Sequence, residues 1–115
     1  MITGAHVTIF AEDAEAARAF FRDVLELDSV DAGGGWLIFK LPPSEVAFHP
    51  APPGATFHEL YLICDDVGET VDDLTAKGVE ITSSIRDEGF GMVARFRVPG
   101  AGEIGIYQPH HPRPA

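Results

Sequence analysis

The chain carries the same order of predicted elements twice within 115 residues, and this repeat is the feature that most constrains its fold. Each half opens with a strand pattern that contains a histidine, His6 or His58, and continues into a helix pattern that follows an aspartate, Asp13 or Asp66. Three further strand patterns follow each helix. Half-domains of about 55 residues rarely bury enough surface to stand alone. The sequence therefore predicts an α+β domain of two tandem βαβββ modules, packed as a pseudo-twofold pair.

Proline and glycine mark the predicted boundaries. Pro50-Ala-Pro-Pro-Gly54 suits neither a helix nor the interior of a sheet, so it predicts a linker over about 50–55. A single domain would then consist of module 1 at about 1–50 and module 2 at about 56–109. The tail at 110–115 contains two more prolines and is expected to be flexible.

Periodicity and capping residues predict the individual elements. Asp13 caps a helix over Ala14–Leu25, and Asp66 with Glu69 forms a capping box before a second helix that Gly78 ends. Alternating or β-branched patterns predict the strands, which are Thr3–Phe10, Leu27–Asp31, Trp36–Leu41, Glu45–His49, Phe57–Cys64, Val79–Arg86, Phe90–Val98 and Glu103–Gln108.

Composition excludes several classes of function. Eighteen acidic against eight basic residues give a net charge of −10, which disfavours binding to nucleic acid or to an anionic membrane. Every apolar run is far too short to cross a bilayer, and the first six residues do not have the pattern of a signal peptide. The single cysteine, Cys64, fits a reducing compartment. We therefore expect a cytoplasmic protein.

Four segments in this order resemble the vicinal oxygen chelate superfamily, the group of glyoxalase I, the bleomycin- and fosfomycin-resistance proteins and the extradiol dioxygenases. They are His6-Val-Thr-Ile-Phe10, Ala19-Phe-Phe-Arg-Asp-Val-Leu25, His58-Glu-Leu-Tyr-Leu-Ile-Cys-Asp-Asp-Val67 and Ile104-Gly-Ile-Tyr-Gln-Pro109. The resemblance implies a cup of curved sheets with a divalent metal at its base, such as zinc, nickel, iron or manganese. It also implies a homodimer, with the cup either within one chain or shared between two.

The resemblance implies metal ligands from the first and last strands of each half. The first-strand positions match His6 and His58, but Ala47 and Gly105 stand where relatives carry a glutamate on the last strand. Two histidines alone bind a divalent ion weakly, so the metal site is expected to be incomplete. Glu26 is a further departure, because relatives usually place a helix-stopping glycine there.

Aromatic and polar residues on the predicted strands are the candidates for binding a ligand in the cup. They are Trp36, Phe48, His49, Phe90, Arg95 and Tyr107. Along Phe90–Val98 the even positions are apolar, and Arg95 and Arg97 occupy the other face. If that face lines the cup, Arg95 can bind an anionic or carbonyl oxygen. If it does not, both arginines are solvated residues at a sheet edge.

Two functions follow from these features. The first is a small-molecule-binding protein of the bleomycin-resistance type, with an aromatic-lined cup whose acidity suits a cationic ligand. The second is a metal-dependent lyase, isomerase or dioxygenase that uses His6 and His58. The sequence identifies no catalytic residue, and it leaves open whether the protein is an enzyme.

Overall fold

A computed structural model describes residues 7–9, 11–45, 47–48, 50, 52–55 and 57–112. Its elements in chain order are α1 (Ala14–Asp23), β1 (Ser29–Asp31), β2 (Leu37–Phe39), β3 (Tyr61–Ile63), α2 (Val67–Ala76), β4 (Ile81–Asp87), β5 (Gly91–Arg97) and β6 (Glu103–Pro109). In the part of the chain so described, neither helix has the length and apolarity that crossing a membrane requires.

The strands form two sheets. A four-stranded sheet has the order β3-β6-β5-β4, in which β3 runs parallel to β6 and the other neighbours are antiparallel. β1 and β2 pair antiparallel as a separate two-stranded sheet. The α+β class predicted from the sequence is confirmed, with two helices against mixed and antiparallel sheets.

The first half of the chain is less regular than predicted. Residues 7–9 lie outside any strand, and the rest of the predicted strand Thr3–Phe10 is outside the described residues. Glu45, Ala47 and Phe48 likewise form no strand, while Val46 and His49 are not described. Prolines precede and follow this segment at positions 42, 43 and 50. Proline has no amide hydrogen to donate, so the flanking backbone cannot continue a hydrogen-bonded ladder.

Both helices begin as the sequence predicts. The carboxylate of Asp13 accepts from the Ala16 amide at 3.0 Å, and that of Asp66 accepts from the Glu69 amide at 3.0 Å. These bonds satisfy amide groups that have no partner within the first helical turn.

The four-stranded sheet has one face against the helices. Side chains at even positions of β5 and β6 meet both helices there, and Phe20 of α1 stacks on Phe96 of β5 with ring centroids 5.9 Å apart. Phe96 is fully buried. The buried core consists of Phe20, Phe21, Val67, Leu74, Ala94, Phe96, Val98, Ile104 and Ile106. Odd positions of the same strands therefore project from the opposite face.

Burial is uneven between the halves. Among the described residues before Val67, the buried apolar side chains are Phe20 and Phe21. Large apolar side chains stay exposed in the same part of the chain, and they include Val7, Val30, Trp36, Phe48 and Phe57. The first half therefore presents apolar surface that its own chain leaves uncovered.

The two helices end at different kinds of residue, a glycine after α2 and a glutamate after α1. α2 ends in a Schellman motif, in which Gly78 has φ of +82° and the Val79 amide donates to the Leu74 carbonyl at 3.0 Å. At the end of α1, Glu26 adopts φ of +57°, the left-handed conformation that disfavours a side chain. A glycine there, as the resemblance leads us to expect, would avoid this strain.

Replacing Glu26 with glycine should therefore raise the free energy of unfolding by about 1 kcal/mol. Glu26 also lies 3.7 Å from Lys77, but that ion pair is exposed and contributes little. Glu26→Ala is the control, since it removes the ion pair and keeps the strained conformation. Denaturant unfolding should rank Glu26→Gly above both wild type and Glu26→Ala; equal stability of the two variants would contradict the assignment of strain.

Candidate ligand-binding face

The face of the four-stranded sheet that lies away from the helices carries a close-packed polar and aromatic cluster. In the middle of the sheet, Gly105 of β6 pairs with Tyr61 of β3 on one side and with Arg95 of β5 on the other. A Cβ atom at position 105 would lie 2.5 Å from Cε1 of Tyr61, so the tyrosine ring rests directly on the glycine backbone. The absence of a side chain at Gly105 is what lets this ring lie flat on the sheet. We call this surface the tyrosine face and define it by Tyr61, Arg95, Gly105 and Tyr107.

Arg95 and Glu59 hold the Tyr61 hydroxyl. The Nη2 atom of Arg95 donates to the Tyr61 oxygen at 2.8 Å and to Glu59 at 3.4 Å, and the Tyr61 hydroxyl donates to the same Glu59 carboxylate. The guanidinium carbon also lies 5.3 Å from the Tyr61 ring centroid. The three groups form one closed hydrogen-bonded unit in a partly buried position.

The pKa shifts of this unit follow from its partners. Burial raises the pKa of the Tyr61 phenol, and the hydrogen bond to Glu59 raises it further. Burial alone would lower the pKa of Arg95, but the charges and hydrogen bonds of Tyr61 and Glu59 outweigh it and raise that pKa. At neutral pH, Tyr61 is therefore a neutral donor and Arg95 a fixed cation.

A second tyrosine lies beside the first. Tyr107 of β6 is buried and meets Tyr61 edge to face, with centroids 5.6 Å apart, and Phe90 meets it in the same way at 5.7 Å. A Cβ at Gly91 would lie 2.9 Å from the Tyr107 ring, so a second glycine makes room for this ring too. Edge-to-face contacts fix the three rings as one aromatic surface.

Glu45 and His111 complete the surroundings of Tyr107. The Tyr107 hydroxyl donates to Glu45 at 3.0 Å, although Glu45 is distant in sequence and belongs to no described strand. His111 lies over the other side, with its Nε2 atom 3.4 Å from the same carboxylate and its ring centroid 6.3 Å from that of Tyr107. His110 is also placed, because its amide donates to the Phe90 carbonyl at 2.9 Å. The start of the predicted tail therefore lies against the sheet.

The two arginines of β5 lie in different environments. Arg95 lies within the tyrosine face, whereas Arg97 is exposed and pairs with Glu80 at 3.2 Å. The sequence left open whether this face of β5 binds a ligand, and that role of Arg95 stays a prediction. β5 lies between β6 and β4, so neither arginine is on an edge strand.

The remaining aromatic candidates lie apart from this cluster. Phe48 is 91% exposed, and Trp36 is 62% exposed with the guanidinium of Arg18 4.7 Å from its ring centroid. One cavity of about 450 Å³ lies beside Arg97 and Gly100, and another of about 230 Å³ lies beside Cys64 and Gln108. Neither of these cavities is lined by the predicted aromatic residues. Trp36 and Phe48 therefore lie on exposed surface, away from these two cavities.

One of the three candidate histidines of the strands, His58, falls among the described residues. His6 and His49 are not among those residues, and His58 is exposed. Glu59, the residue after His58, contacts the tyrosine face instead. The helix caps explain this offset: His6 is seven positions before Asp13, and Glu59 is seven positions before Asp66. Counted from the helix caps, Glu59 therefore corresponds to His6 in sequence spacing.

Sequence reasoning missed Glu59, Tyr61 and Glu45 as parts of this face. A signal for Glu59 was present in the unequal spacing of seven residues from His6 to Asp13 against eight from His58 to Asp66. The small residue at Gly105 was a signal for a large neighbour on the adjacent strand. Nothing local indicates that Glu45 contacts Tyr107.

The described residues do not fit a divalent metal at the position that the resemblance implies. Across the ranges given above, no group of three or more His, Cys, Asp or Glu side chains is arranged to hold one. The Tyr61 ring covers Gly105, where a carboxylate ligand is expected, and the Glu59 carboxylate is already engaged by Arg95. A guanidinium cation next to that carboxylate also repels a second cation.

A comparison with known protein families finds a match that covers most of the chain. The profile of the Glyoxalase/Bleomycin resistance protein/Dioxygenase superfamily matches residues 4–106. A search of curated proteins finds no match.

Several solved structures share the fold. A lactoylglutathione lyase from Agrobacterium tumefaciens superimposes with a TM-score of 0.67 at 19% identity and covers 92% of each chain. TnmS3, an antibiotic binding protein from Streptomyces sp. CB03234, gives a TM-score of 0.64 at 25% identity over 95% of this chain and 99% of that one. A superfamily member from Sphaerobacter thermophilus DSM 20745 gives 0.63 at 20% identity, over 93% and 98% of the two chains.

The contact between Tyr61 and Gly105 can be tested by a double-mutant cycle. Gly105→Ala should displace the Tyr61 ring, break its hydrogen bond with Arg95 and lower the free energy of unfolding by about 1–3 kcal/mol. In a Tyr61→Ala background the same substitution should cost nothing, since no ring is left to displace. Urea unfolding of the four proteins measures both effects. An equal cost in the two backgrounds would show that the ring does not rest on Gly105.

Proposed function

The chain belongs to the glyoxalase/bleomycin resistance protein/dioxygenase superfamily, and on this basis we propose that it binds a small organic molecule on the tyrosine face without a metal ion. The observation that carries the proposal is the Tyr61 ring, which lies on Gly105 with Arg95 and Glu59 at its hydroxyl. These groups fill the place where the resemblance implies a metal ligand. Similarity to an antibiotic binding protein at 25% identity supports ligand binding as the role.

The tyrosine face offers a ligand two kinds of contact. Tyr61 and Phe90, which are partly exposed and meet edge to face, supply aromatic surface for a planar group. Arg95 uses its Nη2 atom for Tyr61 and Glu59, and its guanidinium has two further nitrogen atoms that can donate to a ligand oxygen. A planar aromatic molecule with a carbonyl or similar oxygen fits both contacts.

A second copy of the chain is the partner that we propose for the exposed apolar surface of the first half. Val30, Trp36 and Phe48 are 67%, 62% and 91% exposed, and grouped exposed apolar side chains of this kind mark protein–protein contacts. In such a dimer Trp36, Phe48 and His49 would complete a cup that is shared between the chains.

The alternative function, a lyase, isomerase or dioxygenase that holds a divalent ion with His6 and His58, has less support. His58 is exposed, and the tyrosine face has Arg95 where such an ion would need negative charge. A metal site that includes His6 would need further ligands besides His58 and the residues of the tyrosine face.

Acetophenone, a neutral aromatic ketone, is a suitable first probe of the tyrosine face. Titration followed by amide NMR should shift resonances around Tyr61, Arg95 and Tyr107. Arg95→Met should weaken binding about tenfold, since it removes a charged hydrogen-bond donor. Arg97→Met, a matched change on the same strand, should have no effect because Arg97 lies outside the cluster.

The same titration separates the two functions. Chelator treatment, or added zinc, nickel, iron or manganese, should leave acetophenone binding unchanged. Binding that requires one of these metals, and that is lost in a His6→Ala/His58→Ala variant, would overturn the proposal in favour of a metal-dependent enzyme. Absence of binding to the wild-type chain would also overturn it.

Sedimentation equilibrium should give twice the chain mass of 12.4 kDa. Val30→Lys should weaken the dimer, because it places a charge in exposed apolar surface that the partner is proposed to cover. Thr75→Lys adds the same charge on the exposed side of α2 and should leave the mass unchanged. A wild-type protein that stays monomeric at high concentration would contradict the proposed dimer.

A further inference from the structure

The two tyrosines of the tyrosine face have the same kind of surroundings. Tyr61 has a carboxylate at its hydroxyl, from Glu59, and a cation near its ring, from Arg95. Tyr107 likewise has a carboxylate at its hydroxyl, from Glu45, and an imidazole near its ring, from His111. A carboxylate beside an aromatic ring favours a positively charged group through charge attraction and cation–π contact.

The ring of His111 lies against the Glu45 carboxylate and beside the Tyr107 ring. Its Nε2 atom faces the carboxylate at 3.4 Å, and its Nδ1 atom lies 2.9 Å from the Pro112 carbonyl oxygen. The imidazole therefore covers the place where a ligand group would meet both the carboxylate and the ring.

Arg95 and His111 differ in how firmly they are held. Arg95 lies within the central strand β5 and is fixed by two hydrogen bonds. His111 lies beyond the end of β6, and its ring is 39% exposed. The tail is positioned by His110, whose amide bonds the Phe90 carbonyl and whose ring lies 3.2 Å from Asp87. A ligand can therefore displace His111 by moving a short surface segment, whereas displacing Arg95 would disrupt the sheet face.

We propose that the surface which His111 covers, beside the Glu45 carboxylate and the Tyr107 ring, is a subsite for a positively charged group of the ligand, such as an organic ammonium, and that His111 is a built-in occupant which this group displaces. The inference rests on ligand binding at the tyrosine face and adds the charge class of the ligand and an autoinhibitory contact. The net charge of −10 favours the approach of a cation to this surface.

Phenyltrimethylammonium is the probe, because its charge is permanent and its ring resembles that of acetophenone. Calorimetric or NMR titration of the full chain at one fixed pH gives its affinity. His111→Ala should tighten binding about fivefold, since the competing occupant is gone, and Glu45→Gln should weaken it about fivefold. Acetophenone carries no charge and should change by less than twofold in either variant.

Each outcome of these titrations tests either the cation subsite or the proposed function. If acetophenone binds and phenyltrimethylammonium does not, the cation subsite is wrong and the proposed function stands. If neither probe binds the wild-type chain or His111→Ala, the proposed function itself fails. An unchanged or weaker affinity of His111→Ala for the cation would overturn the role of His111 as a competitor. Both substitutions lie outside the buried core, and thermal unfolding of each variant confirms that the fold is intact.

Discussion

The contact between the helices and one face of the four-stranded sheet determines what the other face can do. Phe96 is fully buried and stacks on Phe20, which belongs to the first half of the chain. This packing commits the even positions of β5 and β6 to the core, so the odd positions must project on the opposite side. Gly105, Tyr107 and Arg95 share a surface because Phe96 and its neighbours take the other one. A one-residue slip of β5 would exchange the two sets.

The polar groups of the tyrosine face can be buried because they are hydrogen-bonded to one another. Each buried or half-buried polar group has a partner of the right kind: the phenols donate to carboxylates, and the guanidinium donates to both a phenol and a carboxylate. Among the described residues, no buried side-chain nitrogen or oxygen lacks a hydrogen bond. Such a network favours a defined arrangement of rings over a loosely packed apolar one. The surface can therefore keep its shape before any ligand arrives.

Most of the fold could be predicted from local patterns. The caps at Asp13 and Asp66, the stop at Gly78 and the alternation along β5 are set by neighbouring residues, so a sequence carries them directly. The predicted strand Glu45–His49 is wrong at its described residues, Glu45, Ala47 and Phe48, because its short pattern lies between prolines and has no local feature to fix its pairing.

The site was harder to predict, because its contacts join residues that are distant in sequence. Tyr61 meets Gly105 and Arg95 through strand register, and Tyr107 meets Glu45 across 62 positions of the chain. The alternation rule identified Arg95 and Tyr107 as candidates, but it could not tell which large side chain fills the gap above a glycine. The strand pattern also did not show that His58 lies before the start of β3 and is exposed.

The position of His111, just past the end of β6, has a consequence for how tightly any molecule can bind beside Tyr107. A separate imidazole molecule would have negligible affinity for one carboxylate and one ring in water. A tethered one is present at an effective concentration on the order of millimolar or above, whatever the dilution of the protein. A weak contact thereby becomes a constant competitor. The apparent affinity of the subsite is then set by the length and stiffness of the tail as much as by the groups that line it.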